Sequence, residues 1–157
     1  MRYLVVGAGA LGGYFGGRLL EAGCDVTFLL RPARAAAISA RGLIVRSRLG
    51  DMTLSPPHIL ASDIRAPFDV VIVACKAYDL ESTMDDFAPA VGATTAILPL
   101  LNGMRHLDAL QARFGAQRVL GGLCLISAVV DADGVVQHVN DLHSLTFGEI
   151  AGGLSPR

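Results

Sequence analysis

The stretch Tyr3-Leu-Val-Val-Gly-Ala-Gly-Ala-Leu-Gly12 decides the fold of this chain. Tyr3 to Val6 predicts a short buried strand, and apolar residues at helical spacing then run up to Gly23. Between strand and helix the sequence fits G-x-G-x-x-G, and a second predicted strand, Asp25 to Leu30, follows. A glycine-rich turn at this place lets a pyrophosphate approach the free N–H groups of the helix N-terminus. The pattern therefore predicts a dinucleotide site; a glycine-rich turn in another kind of α/β protein is the alternative.

Each of the three glycines of this motif has its own structural role. Gly7 makes the tight turn, Gly9 lets the backbone approach the pyrophosphate, and Gly12 lets helix and strand pack closely. The intervening positions predicted to line the same site are Ala8, Ala10 and Leu11.

The composition limits the classes of function. The 157 residues amount to about one domain. With 52% hydrophobic and 17% charged residues, they suit a doubly wound, mainly parallel Rossmann-type α/β sheet covered on both faces. A net charge of −1 argues against nucleic acid and anionic membranes as partners. Three scattered cysteines, at 24, 75 and 124, favour reduced thiols in a cytoplasmic protein.

The second predicted strand ends in Arg31-Pro-Ala-Arg34. Many related folds place Asp or Glu there, where it holds the ribose 2′-hydroxyl of NAD. A guanidinium instead grips a 2′-phosphate, so Arg31 predicts NADP as the cofactor. The alternative is that Arg31 and Arg34 are solvated charges at the start of a helix.

Two later strands deliver polar side chains to the same edge of the sheet. The apolar run Phe68 to Ala74 leads to Lys76, and Thr94 to Leu101 leads to Asn102. Ligands of parallel sheets lie beyond the carboxyl ends of the strands, so both residues are expected to face the cofactor. A solvated loop lysine and an ordinary Asn-Gly turn are the alternatives.

In the final third of the sequence, the alternation of strands and helices gives way to hairpin-like strands. Short β segments at 117–125, 126–130, 135–139 and 144–147 predict an antiparallel appendage near the C-terminus. His58, beside two prolines, is expected to be an exposed loop residue. His138 and His143 lack a carboxylate or cysteine at ligand spacing, so no metal site is predicted. We assign residues 1–150 to one domain and 151–157 to a linker or tail.

On these residues the chain resembles the N-terminal half of the ketopantoate reductase (2-dehydropantoate 2-reductase) family. The resemblance covers nearly the whole chain in the right order. The matching stretches are Gly7–Gly12, Phe28–Arg31, Arg41–Leu43, Cys75–Tyr78, Leu101–Met104, Gly122–Ala128 and Phe147–Glu149.

This resemblance implies NADPH-dependent reduction of 2-dehydropantoate to pantoate, a step of pantothenate biosynthesis. It implies that the glycine turn holds the pyrophosphate and that Arg31 holds the 2′-phosphate. Lys76 and Asn102 match positions that line the cofactor, and Asn102 is also near the substrate. Ala128 matches a position whose backbone meets the nicotinamide.

The family also carries a helical second domain, absent from these residues, with the lysine that protonates the ketone and most groups that hold the 2-oxo acid. Lys76 is the one lysine of the sequence and matches the cofactor-lining position. No catalytic residue is therefore assigned, the chain is expected to be inactive alone, and its uncovered surface would favour self-association, for example as a homodimer. A reductase of another 2-oxo acid and a free-standing NADP-binding regulatory module are the alternatives.

Overall fold

A computed structural model describes residues 1–155; Pro156 and Arg157, which end the predicted tail, lie outside the described residues. The helices are α1 (Ala10–Glu21), α2 (Pro32–Arg41), α3 (Leu80–Phe87) and α4 (Arg105–Phe114). The strands are β1 (Arg2–Val6), β2 (Asp25–Leu29), β3 (Leu43–Arg46), β4 (Met52–Leu54), β5 (His58–Ile59), β6 (Phe68–Val73), β7 (Val91–Pro99), β8 (Leu120–Val130) and β9 (Val136–Glu149). No helix in the described part is both long and apolar enough to cross a membrane.

Five parallel strands form the central sheet, in the order β5-β2-β1-β6-β7. Strand β1 pairs with β2 on one side and with β6 on the other, so that Val5 lies between Phe28 and Ile72. The order of the strands along the chain reverses at β1, which opens a crevice beyond the carboxyl ends of β1 and β6. The predicted Rossmann-type α/β fold is confirmed.

A second sheet has the order β4-β3-β9-β8. Its β8–β9 ladder is antiparallel, which confirms the predicted appendage. The sheet is larger than predicted, because the hairpin of β3 and β4 joins it through the parallel pair Val45 and Val136. The short segments predicted after residue 117 are two long strands. They are interrupted by a bulge, since Ile126 pairs with His143 but Ala128 pairs with His138.

Helix α1 lies between the two sheets and contacts both. On the side of the parallel sheet, a Cβ at Gly12 would collide with the carbonyl oxygen of Gly7. A Cβ at Gly16, one turn later, would lie 2.7 Å from the ring of Phe28. Any side chain at these two positions would push the helix away from the sheet, so glycine sets how closely α1 approaches it.

The opposite side of α1 faces the second sheet and also carries glycine. A Cβ at Gly13 would lie 2.9 Å from a methyl group of Val136, and one at Gly17 would lie 3.1 Å from the Met52 methyl group. The run of glycines beyond the binding motif is therefore explained by packing, because the helix is pressed against a sheet on each side.

Two buried clusters fill the molecule, and alternate residues of β1 divide between them. Leu4 and Val6 point to the cluster that α3 and α4 cover, and Val5 points to the cluster around α1, α2 and the second sheet. This alternation is the period of a strand buried on both faces.

The expectation for His58 was wrong. His58 is half-buried in the short strand β5, where it pairs with Phe28 at the edge of the parallel sheet. Its Nδ1 lies 3.0 Å from the carbonyl oxygen of Pro56, and its Nε2 lies 3.1 Å from Ser39 Oγ. A two-residue strand leaves almost no periodicity in the sequence, which is why it was missed.

Substitution of Gly12 by alanine tests the packing of α1. We expect Gly12→Ala to lower the free energy of unfolding by about 2 kcal/mol, because overpacking outweighs the gain of helix propensity. Gly148→Ala is the matched control, since a Cβ at Gly148 meets nothing within 4 Å. Urea unfolding that gives equal stability for both variants would contradict this account of α1.

Candidate ligand-binding cleft

A cleft of about 1010 Å³ lies at the carboxyl edge of the parallel sheet, where the strand order reverses. The cleft brings together most of the residues predicted to bind a cofactor, namely Gly7, Ala8, Gly9, Ala10, Leu11, Arg31, Lys76 and Asn102. Gly12 is buried beneath it against Gly7. Ala128 does not line the cleft; Val130, two residues further along β8, does.

The floor of the cleft is the glycine turn and the N-terminus of α1. Gly7 has φ of 92°, which favours glycine, and Gly9 is the residue that precedes the helix. No side chain caps this end, and the first N–H bonded within the helix is that of Gly13, which donates to Gly9 O over 2.8 Å. A Cβ at Gly9 would meet nothing within 4 Å. The start of α1 therefore opens into the cleft before the first bonded N–H group of the helix, as an anion site requires.

Arg34 lies in the wall beside this turn. Its Nε donates to the carbonyl oxygen of Ala8 over 3.1 Å, and its Nη1 donates to that of Gly134 over 3.0 Å. Its Nη2 is buried and has no partner among the described residues. Burial, with a smaller contribution from Arg41, lowers the pKa of this guanidinium. Arg34 is thus not the solvated charge of the alternative reading, since it ties the glycine turn to the β8–β9 turn.

Arg31 lies in the same wall of the cleft. Its side chain is 63% exposed, and its Nη2 lies 3.2 Å from the carboxylate of Asp79, which is 30% exposed. Asp79 follows β6 and also lines the cleft. Asp79 was not predicted from the sequence, because nothing in the pattern places it beside a residue 48 positions earlier.

The remaining polar residues lie along the far rim. Lys76 and Asn102 are exposed, and Asn102 also borders a second, smaller cavity of about 360 Å³. His106 borders that cavity and is buried, which lowers its pKa. Cys75 is half-buried in the cleft wall, and burial raises the pKa of its thiol. The thiol is therefore kept protonated, as expected of a packing residue.

Two other histidines, His138 and His143, lie on β9, and their rings contact the ring of Tyr14 in α1. Tyr14 Oη lies 3.1 Å from His143 Nδ1, and His138 Nε2 donates to Leu142 O over 2.9 Å. Within residues 1–155, no group of three His, Cys, Asp or Glu side chains is arranged to hold a metal ion.

Comparison with known proteins gives consistent matches. Residues 3–152 match the family described as ketopantoate reductase PanE/ApbA. The uncharacterized oxidoreductase YkpB of Bacillus subtilis is 44% identical over 157 residues, which are 100% of this chain and 52% of that protein. The crystal structure of 2-dehydropantoate 2-reductase from Geobacter metallireducens GS-15 superposes with a TM-score of 0.89 at 35% identity, over 99% of this chain and 51% of that one.

A ternary structure of D-mandelate dehydrogenase with NADH and anilino(oxo)acetate is also similar. Its TM-score is 0.81 at 26% identity, and the match covers 89% of this chain and 46% of that one. The chain thus spans about half the length of the proteins that it matches.

Replacing each arginine of the cleft wall separates their roles in stability. We expect Arg34→Ala to cost about 2 kcal/mol of unfolding free energy, because two charged hydrogen bonds to backbone carbonyls are lost. Arg31→Ala should cost less than about 1 kcal/mol, because an exposed ion pair contributes little. Urea unfolding of the two variants measures this difference, and an equal loss would show that Arg34 does not hold the two turns together.

Proposed function

Because the chain belongs to the ketopantoate reductase PanE/ApbA family, we propose that it is the cofactor-binding half of an NADPH-dependent 2-dehydropantoate 2-reductase. The observation that carries this proposal is the open, uncapped glycine turn with an exposed guanidinium in the wall of the same cleft. In this proposal residues 1–150 form the cofactor domain in the cytoplasm, and residues 151–157 begin the connection to the substrate-binding half.

The glycine turn fits the pyrophosphate of a dinucleotide. The N–H groups of Ala10 and Leu11 precede the first hydrogen bond within α1 and belong to residues that line the cleft, so they can donate to phosphate oxygens. The open space in front of Gly9 is the volume that a phosphate group would occupy. The positive end of the helix dipole adds attraction for the same charge.

Arg31 supports NADPH as the cofactor. Its exposed guanidinium stands at the end of β2, where the adenosine ribose of a bound dinucleotide lies in such folds. A 2′-phosphate carries close to two negative charges and offers three acceptor oxygens for this group. NADH is the second candidate cofactor, because the similar D-mandelate dehydrogenase was solved with NADH.

The rim residues would orient the nicotinamide and the substrate. The reduced nicotinamide, when bound, supplies the hydride that reduces the ketone. Lys76 would contribute a cation and Asn102 an amide beside this end of the cofactor. Neither is a convincing donor for the proton that the developing alkoxide needs, so we assign that donor to the other half of the enzyme.

The substrate class follows from the relatives. The Geobacter metallireducens protein is a 2-dehydropantoate 2-reductase, and D-mandelate dehydrogenase was solved with anilino(oxo)acetate. Both names point to 2-oxo acids. A reductase of a different 2-oxo acid is therefore the second candidate function, because the groups that choose the substrate are assigned to the other half.

Binding of NADPH and NADH to the chain tests the cofactor assignment. By isothermal titration calorimetry, Arg31→Ala should weaken NADPH by roughly 1.5–3 kcal/mol and leave NADH nearly unchanged, because only the contact to the 2′-phosphate is lost. Arg46→Ala, which removes another exposed guanidinium in a 3.2 Å ion pair, should change neither. Equal losses of affinity for both cofactors in Arg31→Ala would remove the role of Arg31.

Gly9→Val should weaken the binding of both cofactors, because the valine side chain fills the space of the pyrophosphate.

Turnover tests where the proton donor resides. The 157-residue chain should bind NADPH yet show no oxidation of NADPH with 2-dehydropantoate, measured by the absorbance of the reduced nicotinamide. Robust turnover would place a proton donor within this half. Binding without turnover by this chain, but turnover once the other half is present, would distinguish the reductase from a regulatory NADP-binding module.

A further inference from the structure

The ion pair between Arg31 and Asp79 joins the segments that follow two different strands of the parallel sheet. Arg31 lies between β2 and α2, Asp79 lies between β6 and α3, and their side chains meet at 3.2 Å. In many folds of this class an acidic residue at the end of β2 holds the 2′-hydroxyl of NAD. Here that place has a guanidinium, and a carboxylate reaches the same spot from the neighbouring loop.

Asp79 ends a short helical turn, Ala77–Asp79, and is the residue immediately before α3. Its own backbone is helical, with φ of −95° and ψ of −3°, so it lacks the extended conformation of a capping residue. Its carboxylate forms no bond to the start of α3 and points to Arg31. In the structure this side chain is therefore paired with a residue of the cleft.

The other cations of the cleft cannot replace Arg31 in this contact. Arg34 has two of its three nitrogens bonded to the carbonyl oxygens of Ala8 and Gly134. Lys76 stands on the loop after β6, beside the nicotinamide end in our proposed function. The guanidinium of Arg31, which in our proposal binds the 2′-phosphate, is therefore already paired with the carboxylate of Asp79.

We propose that Asp79 is a specificity-determining residue for the cofactor, acting in two ways. Its carboxylate accepts the ribose 2′-hydroxyl of NADH, and it competes with the 2′-phosphate of NADPH for Arg31. The inference rests on the proposed cofactor site. It makes the chain a binder of both cofactors that discriminates between them less than Arg31 alone would.

The physical reason is that one guanidinium serves two anions. When NADPH binds, Arg31 must turn from Asp79 to the phosphate or hold both, and the carboxylate stays close to the phosphate charges. In NADH the hydroxyl is a neutral donor, for which a carboxylate is a good acceptor. Asp79 thus weakens the binding of NADPH and strengthens the binding of NADH.

Calorimetric titration of Asp79→Asn with NADPH and NADH tests this proposal. Removing the charge should tighten NADPH about fivefold and weaken NADH about threefold, which are the sizes expected for an exposed charged contact. In the Arg31→Ala background the same substitution should tighten NADPH clearly less than fivefold, because the competition for Arg31 is then absent. The matched control is Asp85→Asn, on α3, because Asp85 forms an ion pair with Arg113 outside the cleft; its NADPH to NADH ratio should equal that of the unaltered chain.

The outcomes separate this inference from the proposed function. If the unaltered chain binds neither cofactor, the proposed function itself fails. If it binds NADPH while Asp79→Asn leaves the ratio within twofold, the cofactor site stands and the role of Asp79 is overturned. A shift of similar size in Asp85→Asn would also overturn it, because a general change of charge would then explain the result.

Discussion

The contact on which the structure depends is that of helix α1 with a sheet on each side. Gly12 and Gly16 face the parallel sheet and Gly13 faces the second sheet, each at a distance that a Cβ would violate. This close approach places the N-terminus of α1 directly behind β1, and hence at the point where the strand order reverses. The geometry of the cleft and the packing of the two sheets are therefore two results of one constraint, since moving the helix outward would change both.

Two arginines of the cleft, Arg31 and Arg34, differ in burial and therefore in role. Arg34 is half-buried and bonded to two backbone carbonyls, so it holds the glycine turn against the β8–β9 turn. Arg31 is exposed, so its charge is available to a ligand. Arg34 thus fixes the shape of the cleft, whereas in our proposal Arg31 contacts the cofactor. The short stretch Arg31-Pro-Ala-Arg34 supplies both because α2 begins at Pro32 and turns the two side chains to different surroundings.

Local patterns predicted most of the fold, and contacts distant in sequence account for what they missed. Apart from the two-residue strand β5, the strands and helices of the first hundred residues follow from apolar runs, helical spacing and glycine turns. The pairing of β3 with β9 was not predictable, because it joins residues about 90 positions apart and leaves no local signal. The site shows the same division: the glycine turn and Arg31 are motif positions, whereas the ion pair to Asp79 and the bond from Arg34 to Gly134 exist only in the folded chain.

The cleft is equipped to hold a nucleotide more fully than to carry out chemistry on a substrate. The end of the cleft at the glycine turn has the uncapped start of α1 and a guanidinium, whereas the far rim offers one lysine and one amide, both exposed to solvent. The thiol beside them, Cys75, has its pKa raised by burial and is a poor nucleophile in that state. Protonation of an alkoxide needs a donor held at a fixed place, away from water. Because this rim is open to solvent, our proposal gives these residues the binding of the cofactor and leaves the proton donor to the half of the relatives that they do not span.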